Sequence, residues 1–160
     1  WIFVKGSTQV ANFVWIPSNG QAIVHHDGVT AKPVNQQTPF YHTVAATDES
    51  TLLGVGAGVV KFRMPCGVVL TEVRASLNGA QTTGTVVTVD INAGGTSILS
   101  TKITIDNTEK TSKTAATPAV ISDPSIADDE EMSIDIDAVG SSLDAYGLKV
   151  TFIGYSIGSP

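Results

Sequence analysis

The sequence predicts an all-β protein: a jelly-roll-like antiparallel β-sandwich with a small N-terminal β meander. Three observations carry this expectation. Apolar residues alternate with polar ones at a period of two. Met132, Ile134 and Ile136 interleave with Ser133, Asp135 and Asp137, and Val87, Val89 and Ile91 interleave with Thr88, Asp90 and Asn92. Successive strand side chains point to opposite faces, so each such segment buries one face and wets the other. Turn signals such as Asn19-Gly20, Asp27-Gly28, Asn78-Gly79 and Ala93-Gly94-Gly95 separate these runs, at the spacing of sandwich and barrel strands. No segment sustains a helical period, and no internal repeat points to a solenoid or propeller.

Taken in order, residues 1–4, 12–16, 21–25 and 29–32 read as the short strands of a meander. Such a meander is marginal without a larger surface to pack on. Residues 33–39, with Pro33, Pro39 and a polar tract between them, resist both helix and ladder and read as a linker. The expected division is an N-terminal β arm or anchor over 1–38 and a sandwich over 39–160. A strand over 40–46 follows, and then the glycine-rich 54–58 as a tight sheet corner. Val60, Phe62 and Met64 face inward opposite Lys61 and Arg63. Val69, Val73, Ala75 and Leu77 follow on the next strand, with Asn78-Gly79 as its turn. Strands are expected over 85–92 and 98–105, the second with Leu99, Ile103 and Ile105 on one face. Residues 106–117 read as a long polar loop or irregular edge, 119–121 as a short strand ended by Pro124, and 131–137 and 147–153 as the last two strands. Residues 144–146 have room for one helical turn. About eight strands with long crossings favour a jelly roll over an up-and-down barrel.

Composition excludes several functions. Over 160 residues the chain is 42% apolar but only 15% charged, with a net charge of −6. The nine Lys and Arg residues are scattered singly, so the basic stripe that nucleic acid requires is missing. No apolar run approaches the ~20 residues of a membrane helix, and residues 1–5 lack a signal-peptide pattern. Cys66 is the only cysteine, which precludes an intrachain disulfide and fits a small buried hydrophobe folded in a reducing compartment.

Several constellations invite a chemical reading, and each has a structural one. Gly154-Tyr155-Ser156-Ile157-Gly158 matches the G-x-S-x-G of serine hydrolases. A nucleophile elbow needs a following helix and a later histidine, so the segment reads as a flexible end after the last strand. Gly54-Val55-Gly56-Ala57-Gly58 lacks the lysine–serine pair of a phosphate loop. His25 and His26 point to opposite faces if extended, so one chain cannot bring both to one metal without a bulge. Asp128-Asp129-Glu130-Glu131, with Asp123 nearby, fits no EF-hand spacing and reads as a solvated run protecting an edge. Asp135 and Asp137 share a strand face, but the outward strand faces read as Ser, Thr, Asp and Lys, with no aromatic-lined groove for a glycosidase. We therefore expect no catalytic residues, no bound metal and no cofactor. Trp1, Phe3, Phe13 and Trp15 place both tryptophans in the first fifteen residues of a chain only 6% aromatic. They read as an anchor onto another surface, or else as a local mini-core.

Across most of residues 40–155 the chain resembles a domain common in virion proteins of tailed phages and prophages. The residues that carry the likeness are Phe62-Arg63-Met64-Pro65, Val73-Arg74-Ala75-Ser76-Leu77, Val89-Asp90-Ile91-Asn92, Ser97-Ile98-Leu99-Ser100-Thr101-Lys102, Ile105-Asp106-Asn107-Thr108-Glu109-Lys110-Thr111-Ser112, Ile134-Asp135-Ile136-Asp137 and Gly147-Leu148-Lys149-Val150. Trp1-Ile2-Phe3-Val4-Lys5 is similar to short segments of phage capsid-surface proteins. The resemblance implies a homotrimeric structural component of the virion and carries over no catalytic residue. The expected role is capsid decoration (cement) or a head fibre, with copies of itself and the major capsid protein or another virion protein as partners, and with neither nucleic acid nor membrane. The alternative is a tail-fibre module that binds host surface glycan through loops such as 106–117 or 140–146.

Overall fold

The computed structural model describes residues 38–141 and 144–157, and the backbone of two short strands before them. Those strands, β1 (Ile23–His26) and β2 (Ala31–Val34), pair antiparallel with Ile23 opposite Val34 and His26 opposite Ala31. The expected strands over 1–4 and 12–16 lie outside the described residues. Pro33, assigned to a linker above, sits in β2 opposite Val24. In a two-stranded ladder every strand is an edge, and there a missing N–H is tolerated. The chain divides into two compact units, Trp1–Gln36 and Gln37–Pro160.

The larger unit contains β3 (Thr38–Ala45), β4 (Gly56–Arg63), β5 (Val68–Ser76), β6 (Val87–Ala93), β7 (Thr96–Ser97), β8 (Leu99–Thr101), β9 (Ile103–Ile105), β10 (Val120–Ile121), β11 (Ser125–Ile126), β12 (Glu131–Ala138) and β13 (Lys149–Ser156). One sheet runs β11-β5-β13-β3. The other runs β4-β12-β6, with β7 and β9 sharing the far side of β6. All pairings are antiparallel, and β8 with β10 makes a separate two-stranded ladder. From β3 to β6, and again from β11 to β13, the chain changes sheet at each step. Both sheets thus interleave early and late strands, which is the eight-position jelly roll.

The period-two residues build the core. Val87, Val89 and Ile91 of β6, Met132, Ile134 and Ile136 of β12, and Val150 and Phe152 of β13 are essentially solvent-free. Toward β3 and β4, Phe40, His42, Phe62 and Phe152 close the gap between the sheets with ring centroids 5.6–6.4 Å apart. The β6–β7 hairpin turns on Gly94 and Gly95, both at positive φ. A two-residue loop of this kind requires that conformation.

Several local expectations change. Val69 faces outward, while Val68 and Leu70 are buried. Against β13, Ile153 pairs with Glu72 but Gly154 pairs with Leu70, so Thr71 is an extra residue. That bulge reverses the inside–outside alternation. Residues 98–105 form β8 and β9 rather than one strand, and β11 was not expected. The glycine-rich 54–58 is not simply a corner, since Gly56–Arg63 is already strand. Asn78-Gly79 is not a hairpin turn: Gly79 bridges Tyr146, and a Cβ on it would lie 2.1 Å from the Tyr146 ring. Residues 144–146 hold no helical turn; Tyr146 instead makes bridges to Leu52 and Gly79.

Candidate functional site

The four aromatic residues expected to anchor the protein, Trp1, Phe3, Phe13 and Trp15, lie outside the described residues. His25 and His26 follow one another in β1, opposite Lys32 and Ala31. In the sandwich, the chemistry-bearing groups have structural partners. Ser156 sits inside β13, not in a flexible end, and its hydroxyl donates to the Thr38 carbonyl at 3.4 Å. Gly154 of the same motif lies where a Cβ would fall 2.1 Å from the Val69 carbonyl oxygen. It is there to let β5 bulge past β13.

Asp135 and Asp137 share the outer face of β12, as the alternation predicts. Asp135 accepts the Gly58 N–H at 2.6 Å and the Asn92 side-chain amide at 3.0 Å. Its carboxylate fills a second bulge, where Ile134 pairs with Val60 but Ile136 pairs with Gly56, and where Gly58 takes positive φ. Lys102 bridges Asp137 at 2.5 Å and the buried Asp90 at 3.1 Å, and Asp90 also accepts the Ser97 hydroxyl at 2.6 Å. The two carboxylates hold the Lys102 ammonium above its ordinary range, mainly because it donates hydrogen bonds to Asp137 and then to Asp90. In the acidic run, Glu131 pairs with Lys61 and Arg63 while Asp128 and Asp129 are exposed. Among the described residues, no group of three or more His, Cys, Asp or Glu is placed to hold a metal ion.

An open groove of about 490 Å³ runs along β5 beside Pro118–Ile121, with Glu72, Arg74 and Lys113 on its wall. Glu72 receives both guanidinium N–H groups of Arg74 at 2.7 Å and the Lys113 ammonium at 3.0 Å. The Arg74 hydrogen bonds, against the opposing pull of partial burial, bring its carboxyl down to about 2. Glu72 is thereby neutralised in place.

The outer face of the β3-β13-β5 sheet differs from all of this. In register across it, Tyr155 lies between Pro39 and Val69, and Ile153 lies between Tyr41 and Glu72. Tyr41 is 72% exposed, Tyr155 39% and Val69 37%. Opposite residues on one face are in contact and diagonal ones are within reach of an aromatic ring, so these side chains form one apolar patch. Further along, the Thr43 and Thr151 hydroxyls bond at 3.0 Å and Arg74 completes the row. The expectation that outward faces carry only Ser, Thr, Asp and Lys is corrected here. The signal was present in the alternation: Tyr41 and Tyr155 occupy the outward phase of their strands. Val69 joins them only because of the β5 bulge, which no local pattern announces.

No family model, no curated protein and no solved structure matches this chain.

Proposed function

We propose that this protein is a non-enzymatic structural component of a phage virion, placed on the capsid exterior as a decoration protein or head fibre and working as a homo-oligomer. The resemblance of the sandwich segments supplies the virion setting. The single observation that supports an assembly role is the Tyr41–Ile153–Tyr155–Val69 face. Contiguous exposed apolar area on a small domain marks a docking surface, and tyrosines bring large contact area at low entropic cost. Beside it Glu72 is committed to Arg74 and Lys113, and on the other sheet Asp135 is committed to the Gly58 bulge, in keeping with a building block. The N-terminal aromatics Trp1, Phe3, Phe13 and Trp15 supply a second anchor in this reading.

Imaging of virions labelled at the C-terminus of this chain tests the proposal. Label over the capsid shell is the expected result, and label confined to the tail overturns it in favour of the receptor-binding alternative. A Tyr41→Ser/Tyr155→Ser double variant should fold normally yet load onto particles at least tenfold less. Unchanged loading, with glycan binding by the isolated protein, would favour the tail-fibre reading instead.

A further inference from the structure

The sandwich has two long outer strands, β3 and β4, and they are guarded very differently. β4 carries Lys61 and Arg63, is bulged at Gly58 and has the Asp135 carboxylate plugged into the bulge. Charge and bulging are standard protection against strand-to-strand association. β3 has neither device. Its eight residues, Thr38 to Ala45, pair with β13 in unbroken register and contain no Asp, Glu, Lys or Arg. Every other strand of seven or more residues, β4, β5, β6, β12 and β13, contains at least one. Among the described residues no strand covers the outer side of β3.

The hydrogen-bonding phase of β3 can be assigned. Ala46, directly following the strand, donates its N–H to Leu148 at 2.8 Å on the β13 side. Residues of an antiparallel strand alternate in the side to which they present both N–H and C=O. The even-numbered residues therefore bond β13, and Pro39, Tyr41, Thr43 and Ala45 present their backbone groups to the open side. Pro39 obeys this phase, since its missing N–H falls on the open side and costs the β13 ladder nothing. Tyr41, Thr43 and Ala45 are left with a row of main-chain donors and acceptors next to the apolar patch.

We infer that β3 is a self-association edge, and that two copies of this chain join antiparallel through it about a twofold axis. A twofold contact pairs the strand with its own copy, the residue on the axis meeting itself, so a strand charged with one sign would meet like charge. In a chain of net charge −6, an uncharged strand is the edge where two copies approach without that penalty. The register centred on Thr43 sets Tyr41 of one copy against Ala45 of the other and Thr43 against itself. It merges the two four-stranded sheets into one of eight and runs the two tyrosine patches together. The contact makes pairs, in place of the threefold arrangement the resemblance implies, and it does not depend on where the protein works.

The test is the mass of the full chain by light scattering at tens of micromolar, with Thr43→Pro and Thr43→Lys compared. Thr43 presents its N–H to the open side, so proline there repeats the solution already seen at Pro39 and leaves the β13 ladder intact, while Thr43→Lys puts like charges across the axis. We expect a dimer for the native chain and an at least hundredfold weaker dimer for both variants, with the melting temperature of the sandwich held at low concentration. If Thr43→Pro fails to fold, Thr43→Lys alone decides. A native monomer, a native trimer, or dimers that persist in Thr43→Lys would each overturn the inference.

Discussion

The two outer faces of this sandwich are built from strands of the same period and opposite chemistry. On the β4-β12-β6 face, Asp135 holds the Gly58 bulge and Lys102 joins Asp90 to Asp137. Its polar groups brace the fold and satisfy one another. On the β3-β13-β5 face, Tyr41, Ile153, Tyr155 and Val69 brace nothing beneath them, because the residues that fill the core from these strands are Phe40, Val68, Leu70 and Phe152. One face is spent on internal stability and the other is left for contact. The two bulges differ in the same way. The Gly58 bulge is held by a side chain, whereas the Thr71 bulge is admitted by the absence of one at Gly154.

This contrast can be broken by mutation, and the effects should fall in a definite order. The largest belongs to Gly154→Ala. Its Cβ would meet the Val69 carbonyl oxygen at 2.1 Å, and backbone cannot yield as a side chain can. Overpacking of this kind should cost about 3 kcal/mol or more, read as a fall in the urea midpoint. Asp135→Ala comes next. It strands the Gly58 N–H and the Asn92 amide and should cost about 1–2 kcal/mol, while Asp135→Asn, which keeps an acceptor oxygen, should recover most of it.

Glu72→Gln should have a smaller effect that depends on pH. The Glu72 carboxyl is lowered from 4.5 to about 2 by Arg74 and Lys113, so folding favours its ionised form. Its contribution is complete above the ordinary carboxylate range and is lost as the pH falls through about 2. Melting temperatures of wild type and Glu72→Gln should differ at pH 6 and converge as the solution is acidified toward pH 2. Because the Glu72 side chain is 34% exposed, added salt should narrow the gap at pH 6.

The smallest change in folding stability should follow Tyr41→Ser, within about 0.5 kcal/mol, because Tyr41 is 72% exposed. The sharpening observation is its opposite effect on association, where Tyr41→Ser should weaken assembly. A large loss of stability from Tyr41→Ser, or none from Asp135→Ala, would erase the distinction between the faces.

Much of the fold was legible because its signal is local. Met132, Ile134 and Ile136 are buried as their alternation predicts, and Gly94-Gly95 turns the hairpin it marks. The misreadings share one cause. An undisturbed alternation back from Val73 and Ala75 would turn Val69 inward, and the extra residue at Thr71 exists only relative to β13. Gly79 follows Asn78 in a turn dipeptide, yet what demands glycine there is the ring of Tyr146, far along the chain. Gln81, almost fully buried, carries no local signal because its partners Thr85, Asn107 and Gly140 come from three separate loops. Trp1, Phe3, Phe13 and Trp15 cluster in the sequence itself, whereas the exposed pair in the sandwich, Tyr41 and Tyr155, is separated by more than a hundred residues.

The amino-acid sequence by itself determined the class of the fold, the position of most strands and the inward set of residues, because side-chain alternation is a property of each strand alone. Tertiary structure decided which strands became neighbours, where the ladders bulge, and hence which apolar residues stay uncovered. Those outcomes depend on pairing partners distant in the chain. A one-residue slip in such a pairing moves a side chain from core to surface without any change in local pattern.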